Sequence, residues 1–148
     1  MEHVAIMKKS WGLTKKILDG RKKIESRWYK TKRNPWDSIK KGETIYFKDS
    51  GEPVSLMAEV DRIVQFSGLT PKKVKEILEK YASAAGIEKN EVSGFFKRFR
   101  NSRYCILVFL KNPREIRPFE IDKAGFGIMS AWLTADSVKR LKKPQSLV

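Results

Sequence analysis

The stretch Asp19-Gly20-Arg21-Lys22-Lys23-Ile24-Glu25-Ser26-Arg27-Trp28 changes periodicity in its middle, and that change decides the fold. Upstream, Trp11 to Asp19 carries Trp11, Leu13, Ile17 and Leu18 and reads as a short helix, which Gly20 is placed to end. From Lys23 to Trp28 the chain alternates instead. Ile24, Ser26 and Trp28 share one face, and Lys23, Glu25 and Arg27 share the other, as a half-buried strand requires.

Strands continue on both sides of this junction. His3 to Met7 predicts a first strand, and Thr44 to Lys48 with Val54 to Val60 a hairpin turned by Asp49-Ser-Gly-Glu-Pro53. Beyond Val60, Ile63 and Phe66 break the parity of Val54, Leu56, Ala58 and Val60, which predicts a bulge of the kind that lets small barrels close. Tyr104 to Leu110 predicts a buried central strand, after which Pro113 and Pro118 mark a connection. A last strand is expected over Ile128 to Leu133, and Thr134 is expected to cap a terminal helix through Leu141.

Two helices interrupt the strands. Thr70 to Ala85 has a capping threonine, Pro71 in the first turn, a stripe of Val74, Ile77, Leu78, Tyr81 and Ala85, and Gly86 to end it. Asn90 to Arg100 places Val92, Phe95, Phe96 and Phe99 at helical spacing, which reads as a core-facing stripe. The order is too strand-rich for a bundle and lacks βαβ alternation. The expected fold class is α+β: a small mixed barrel with flanking helices, one domain over 1–148, and a helical insertion at about 70–101.

Composition bounds the function. The 148 residues hold 32 Lys and Arg against 17 Asp and Glu, a formal charge of +15 that calls for an anionic partner. Nucleic acid fits this better than a membrane surface, which would favour one basic amphipathic helix. The longest apolar run, around Cys105, falls far short of the roughly 18 residues of a membrane span, and no signal-like segment opens the chain, so a cytoplasmic protein is expected. The lone histidine, His3, has no Cys or His partner at ligand spacing. No structural metal and no cofactor are expected. Abundant Lys and Glu with scarce Gln hint at a thermophilic source.

Gly20-x-Lys22-x-x-Glu25-x-Arg27 resembles the GxKxxExR signature of ASCH domains, and Ile39-Lys-Lys-Gly42-Glu-Thr-Ile45 resembles the glycine turn with which that family enters a strand. The resemblance covers the first half of the chain and is architectural in the second. ASCH domains are similar to PUA domains, so it implies a PUA-like β-barrel that binds RNA or a modified nucleoside or nucleotide beside the signature, in RNA metabolism or translation. Such an implication is fold-level analogy.

The signature's chemistry fits that expectation. On one strand face Glu25 can accept an exocyclic amine while Arg27 meets a carbonyl or phosphate in fork geometry, with Lys22 as a point charge beside them. Charged alternations otherwise simply solvate a strand. Trp28, Tyr29, Trp36 and Trp132 offer flat faces. Trp36 is the preferred stacking group, in a polar loop whose Lys30, Lys32 and Arg33 add positive charge, as Lys97, Arg98, Arg100 and Arg103 do around the second helix.

Relatives that the chain resembles include amidohydrolases acting on acetylated cytidine through a lysine, a threonine and a distant glutamate. Here Lys22 is kept, Glu25 stands at the threonine's place, and Ser26 points to the opposite face. A ribonuclease would use Lys22 and Glu25 as acid and base. The scattered carboxylates Glu25, Glu43, Glu59 and Asp61 make a metal-assisted version weaker. The expectation is therefore a non-catalytic binder of RNA or a nucleotide. A nucleotide-directed hydrolase using Lys22 and Glu25 is the alternative, with a protein-interaction adaptor behind both.

Overall fold

A computed structural model describes residues 1–127 and 130–144. Six strands, β1 (Glu2–Met7), β2 (Ile24–Tyr29), β3 (Thr44–Asp49), β4 (Val54–Phe66), β5 (Tyr104–Phe119) and β6 (Trp132–Ala135), form one sheet in the order β2-β5-β4-β3-β1-β6. All neighbours are antiparallel except β1 and β3. Three α-helices accompany the sheet: α1 (Leu13–Leu18) between β1 and β2, and α2 (Pro71–Tyr81) with α3 (Val92–Phe99) between β4 and β5.

The sheet curls into a half-barrel because alternate residues of each strand serve different cores. Ala5, Met7, Ile45, Phe47, Leu56, Ala58, Ile106 and Val108 pack inside the curl. The opposite residues of β2 and β5, Ile24, Cys105 and Leu107, pack outward under α2 and α3. Those of β1 and β6, Val4 and Leu133, pack under a terminal 3-10 turn, Val138–Leu141. The expected bulge is present: Val60 pairs with Leu110 and Arg62 with Phe109, leaving Asp61 as the extra residue. It shifts the parity so that Ile63 faces the interior with Val60, while Val64 and Phe66 turn to the helices.

Four expectations need correction. Pro113 and Pro118 lie within β5, which runs on for 16 residues. β2 covers β5 only from Tyr104 to Phe109, so beyond that point β5 is a sheet edge, where a proline costs no ladder bond. Thr134 belongs to β6 rather than to a cap, and Ser137 caps the 3-10 turn, its Oγ accepting from Lys139 N. The helix expected from Trp11 is broken by Gly12, whose left-handed φ of 62° leaves Trp11 in a separate 3-10 turn (Lys9–Trp11). β6 begins at Trp132, and Ile128 and Met129 of the expected last strand lie outside the described residues.

The two insertion helices form close to where expected. Thr70 Oγ1 accepts from Lys73 N at the start of α2. The chain turns through Ala82–Ala85 to Gly86, whose φ of 81° reverses it. Gly86 also lies against Lys22, since a Cβ there would come within 3.1 Å of Lys22 Cβ. The segment between the helices closes with a 3-10 turn, Lys89–Glu91, fixed by reciprocal bonds between Glu88 and Glu91.

Candidate functional site

Glu25 and Arg27 project from β2 into the barrel interior, on the face opposite Ile24 and Trp28. The alternation anticipated the shared face but not its burial: Glu25 is 3% exposed and Lys22 2% exposed. Lys22 Nζ donates to Ile24 O at 2.6 Å and Ala85 O at 2.7 Å, and lies 3.4 Å from Glu25 Oε1. Arg27 Nη2 donates to Glu25 Oε2 at 3.1 Å and to Ile6 O at 3.3 Å, and Nη1 donates to Ala131 O at 3.2 Å. The guanidinium also lies 5.1 Å over the Trp132 ring. These three residues therefore tie the turn after α2, the β2 edge, β1 and the entry to β6 together where the sheet's two edges face each other.

Burial pushes the Glu25 carboxyl up, but the charges of Lys22 and Arg27 outweigh it and hold the group below its ordinary range. Burial pulls the Lys22 ammonium down more strongly than Glu25 supports it. Glu25 is thus a carboxylate engaged on both oxygens, and all three ammonium protons of Lys22 have acceptors nearby.

Above the trio opens a cleft of about 420 Å³. One wall is a run of four half-buried aromatic rings. Trp28 stacks on Phe99 at 5.3 Å and 10°, Phe99 meets Phe95 at 5.9 Å, and Phe95 meets Trp11 edge-on at 5.0 Å. All four line the cleft, as do Lys8 and Arg98, whose cationic groups lie 5.3 Å and 5.1 Å over Trp11. Glu25 is the only acid in a lining that also holds Lys8, Lys22, Arg27, Arg98 and Lys123. A flat, electron-rich anion suits such walls, because the rings offer stacking faces and the cations offer a field.

The remaining expected residues are dispersed. Trp36, the preferred stacking group, is half-buried on the barrel core with its ring edge-on to Tyr104 at 5.1 Å, outside the cleft lining. Lys30, Lys32 and Arg33 are exposed on the loop after β2, also outside it. Trp132 is 3% exposed, its indole donating to His3 Nδ1 at 3.1 Å. Phe95 and Phe99 of α3, unlike Phe96, are both core and cleft wall. What marked them was Arg98 standing between Phe95 and Phe99, a cation on an otherwise apolar face.

His3 carries a network that the sequence did not announce. Its ring is fully buried, and Nδ1 accepts from the Trp132 indole, which can only donate, so the proton sits on Nε2 and is donated to Glu43 Oε1 at 2.8 Å. Burial lowers its pKa against the pull of Glu43. Among the described residues, no group of three His, Cys, Asp or Glu side chains is arranged to hold a metal ion.

This topology is shared with solved structures. The ASCH protein from Zymomonas mobilis superposes with a TM-score of 0.67 over 96% of both chains, at 18% identity. A single-substitution variant of that protein gives 0.66 over 96% of this chain and 99% of its own, also at 18% identity. This chain has the ASCH fold. A second variant superposes at 0.63 over 89% and 86% of the two chains, with 19% identity. No family model and no curated protein matches the sequence, so the likeness is one of fold, visible in three dimensions where identity has faded. In the ASCH fold of this chain, the signature-like residues Lys22, Glu25 and Arg27 sit at the meeting of the sheet's edges. Among the described residues, no helix is long and apolar enough to cross a membrane.

Proposed function

We propose that this chain binds single-stranded RNA or a modified nucleotide in the cleft, with a base against the rings of Trp11, Trp28, Phe95 and Phe99 and phosphate near Lys8 and Arg98. The observation that carries this reading is the aromatic wall bordered by the cations of Lys8 and Arg98. Stacking on aromatic faces with a basic surround is how single strands are held without a base code. The PUA-like fold adds analogy, not geometry. Lys22, Glu25 and Arg27 act here mainly by shaping the floor and its field, because their polar atoms already engage one another and the backbone.

The test is fluorescence anisotropy of labelled single-stranded and duplex RNA at low and moderate salt. Trp11→Ala is expected to weaken single-strand binding roughly 5- to 150-fold, the equivalent of about 1–3 kcal/mol per stacked base. Arg98→Gln should reduce affinity and salt dependence together. Binding that vanishes at moderate salt and ignores both changes would leave only a generic attraction to the +15 charge.

A nucleotide-directed hydrolase is the second reading. Its support is the Lys22 ammonium lowered by burial beside Glu25 in a cleft open to solvent. Under it, Glu25→Gln would abolish release of product from free modified nucleosides or RNA. Turnover that persists in a folded Glu25→Gln protein removes it.

A further inference from the structure

The cleft uses only part of the positive charge. A second concavity of about 310 Å³ lies on the outer face of the sheet, away from the barrel interior. Its floor is Tyr46 and Met57, paired across β3 and β4, with Ile116 of β5 also in the lining. Phe119 closes one side, meeting Tyr46 edge-on at 6.0 Å. Arg117 on β5 and Lys139 and Lys142 on the terminal segment line it and are exposed.

The charge of this groove is unbalanced. Arg117, Lys139 and Lys142 take part in no ion pair among the described residues, although Lys142 Nζ lies 4.4 Å over the Phe119 ring. Neighbouring Arg140, by contrast, is paired with Asp136 at 3.3 Å. The one acid in the lining, Glu2, has Oε1 engaged by Val138 N at 2.7 Å and so helps hold the terminal turn in place. A half-buried tyrosine and a thioether beside three cations offer a flat apolar patch about one ring wide, with positive charge on its borders.

The geometry points to a second binding site for single-stranded nucleic acid in this groove, phosphates meeting Arg117, Lys139 and Lys142 and one base lying against Tyr46 and Met57. A repeating unit that alternates a flat ring with one negative charge matches this alternation of floor and border. An acidic peptide offers the charge without the ring. The site extends the nucleic-acid reading to the other face of the sheet, but it stands on residues the cleft does not share.

The test uses the full chain and a labelled single-stranded RNA of about 12 nucleotides, within the roughly 4–16 that one small barrel engages. Arg117→Gln, Lys139→Gln and Lys142→Gln are combined, and because these side chains are exposed the melting temperature should not move. The slope of log affinity against log salt should fall by about 2, at roughly 0.7 per phosphate neutralised on a single strand. Tyr46→Leu should weaken binding at least about fivefold with the slope unchanged, the loss of one stacked base.

An unchanged slope and affinity in the triple variant overturns the site. So does poly-glutamate that binds wild type as tightly as RNA and loses affinity equally in the triple variant, since the groove would then recognise charge alone. Displacement of the strand by inorganic phosphate at matched ionic strength would also overturn it, in favour of a single-phosphate pocket. Trp11→Ala and Arg98→Gln, run in parallel, separate the two sites: loss only in these sinks the groove and leaves the cleft, and loss only in the groove variants does the reverse.

Discussion

At the scale of single residues, the decisive feature is a carboxylate between two cations inside a barrel. Removing one partner of a buried ion pair costs about 3–5 kcal/mol, because the remaining charge is stranded away from water. Glu25→Gln should therefore lower unfolding free energy by about that amount in urea titrations, since it strands both Lys22 and Arg27. Acid acts on the same group. Its folded pKa is depressed, so its stabilisation is present above the ordinary carboxylate pKa and is lost as pH falls through the depressed value. His3 has the same sign at milder pH. Its lowered pKa means that the unfolded chain binds the proton more readily, so stability should decline as pH drops below about 6.5. Thermal melts at pH 7 and pH 5 check this, with His3→Gln expected to flatten the difference.

At the scale of elements, α3 and the turn after α2 matter most for the cleft. Phe99 stacks on Trp28 and packs against the outer core while remaining half-buried. Phe99→Ala should cost less than the about 3–5 kcal/mol of a fully buried phenylalanine, and should weaken RNA binding as the wall opens. Gly86 holds a left-handed conformation against Lys22. Gly86→Ala should destabilise by at least about 1–2 kcal/mol, because a Cβ is unfavourable at that φ and would also press on Lys22. Denaturant titration of both variants, read beside RNA affinity, separates loss of fold from loss of site. Both helices were legible from periodicity and caps, and the β4 bulge from broken parity. The prolines of β5 were misleading, since whether a strand tolerates proline depends on which strand lies beside it.

At the scale of the whole molecule, the positive charge is distributed over more than one face. The cleft and the outer groove each hold cations, and the loop bearing Lys30, Lys32 and Arg33 belongs to neither lining. Binding of an RNA long enough to reach both faces should therefore depend more steeply on salt than binding of a short strand that fills one site. Parallel salt titrations with the two ligands check it. Equal slopes would confine the interaction to a single site.

By itself the sequence determined the order of elements, the mixed α+β class, the parity that puts Glu25 and Arg27 on one face of β2, and the net charge of +15. These follow from local spacing and from net charge, which are properties of the chain as written. The tertiary structure alone decided which face of β2 points inward, and so whether its charges meet water or one another. It also decided that Trp36 packs on Tyr104 while Phe95 and Phe99, still packed against the outer core, line a cleft. Those outcomes depend on how the sheet's edges approach and what lies across the gap, and residues far apart in the chain, such as Arg27 and Ala131, meet only when the sheet curls.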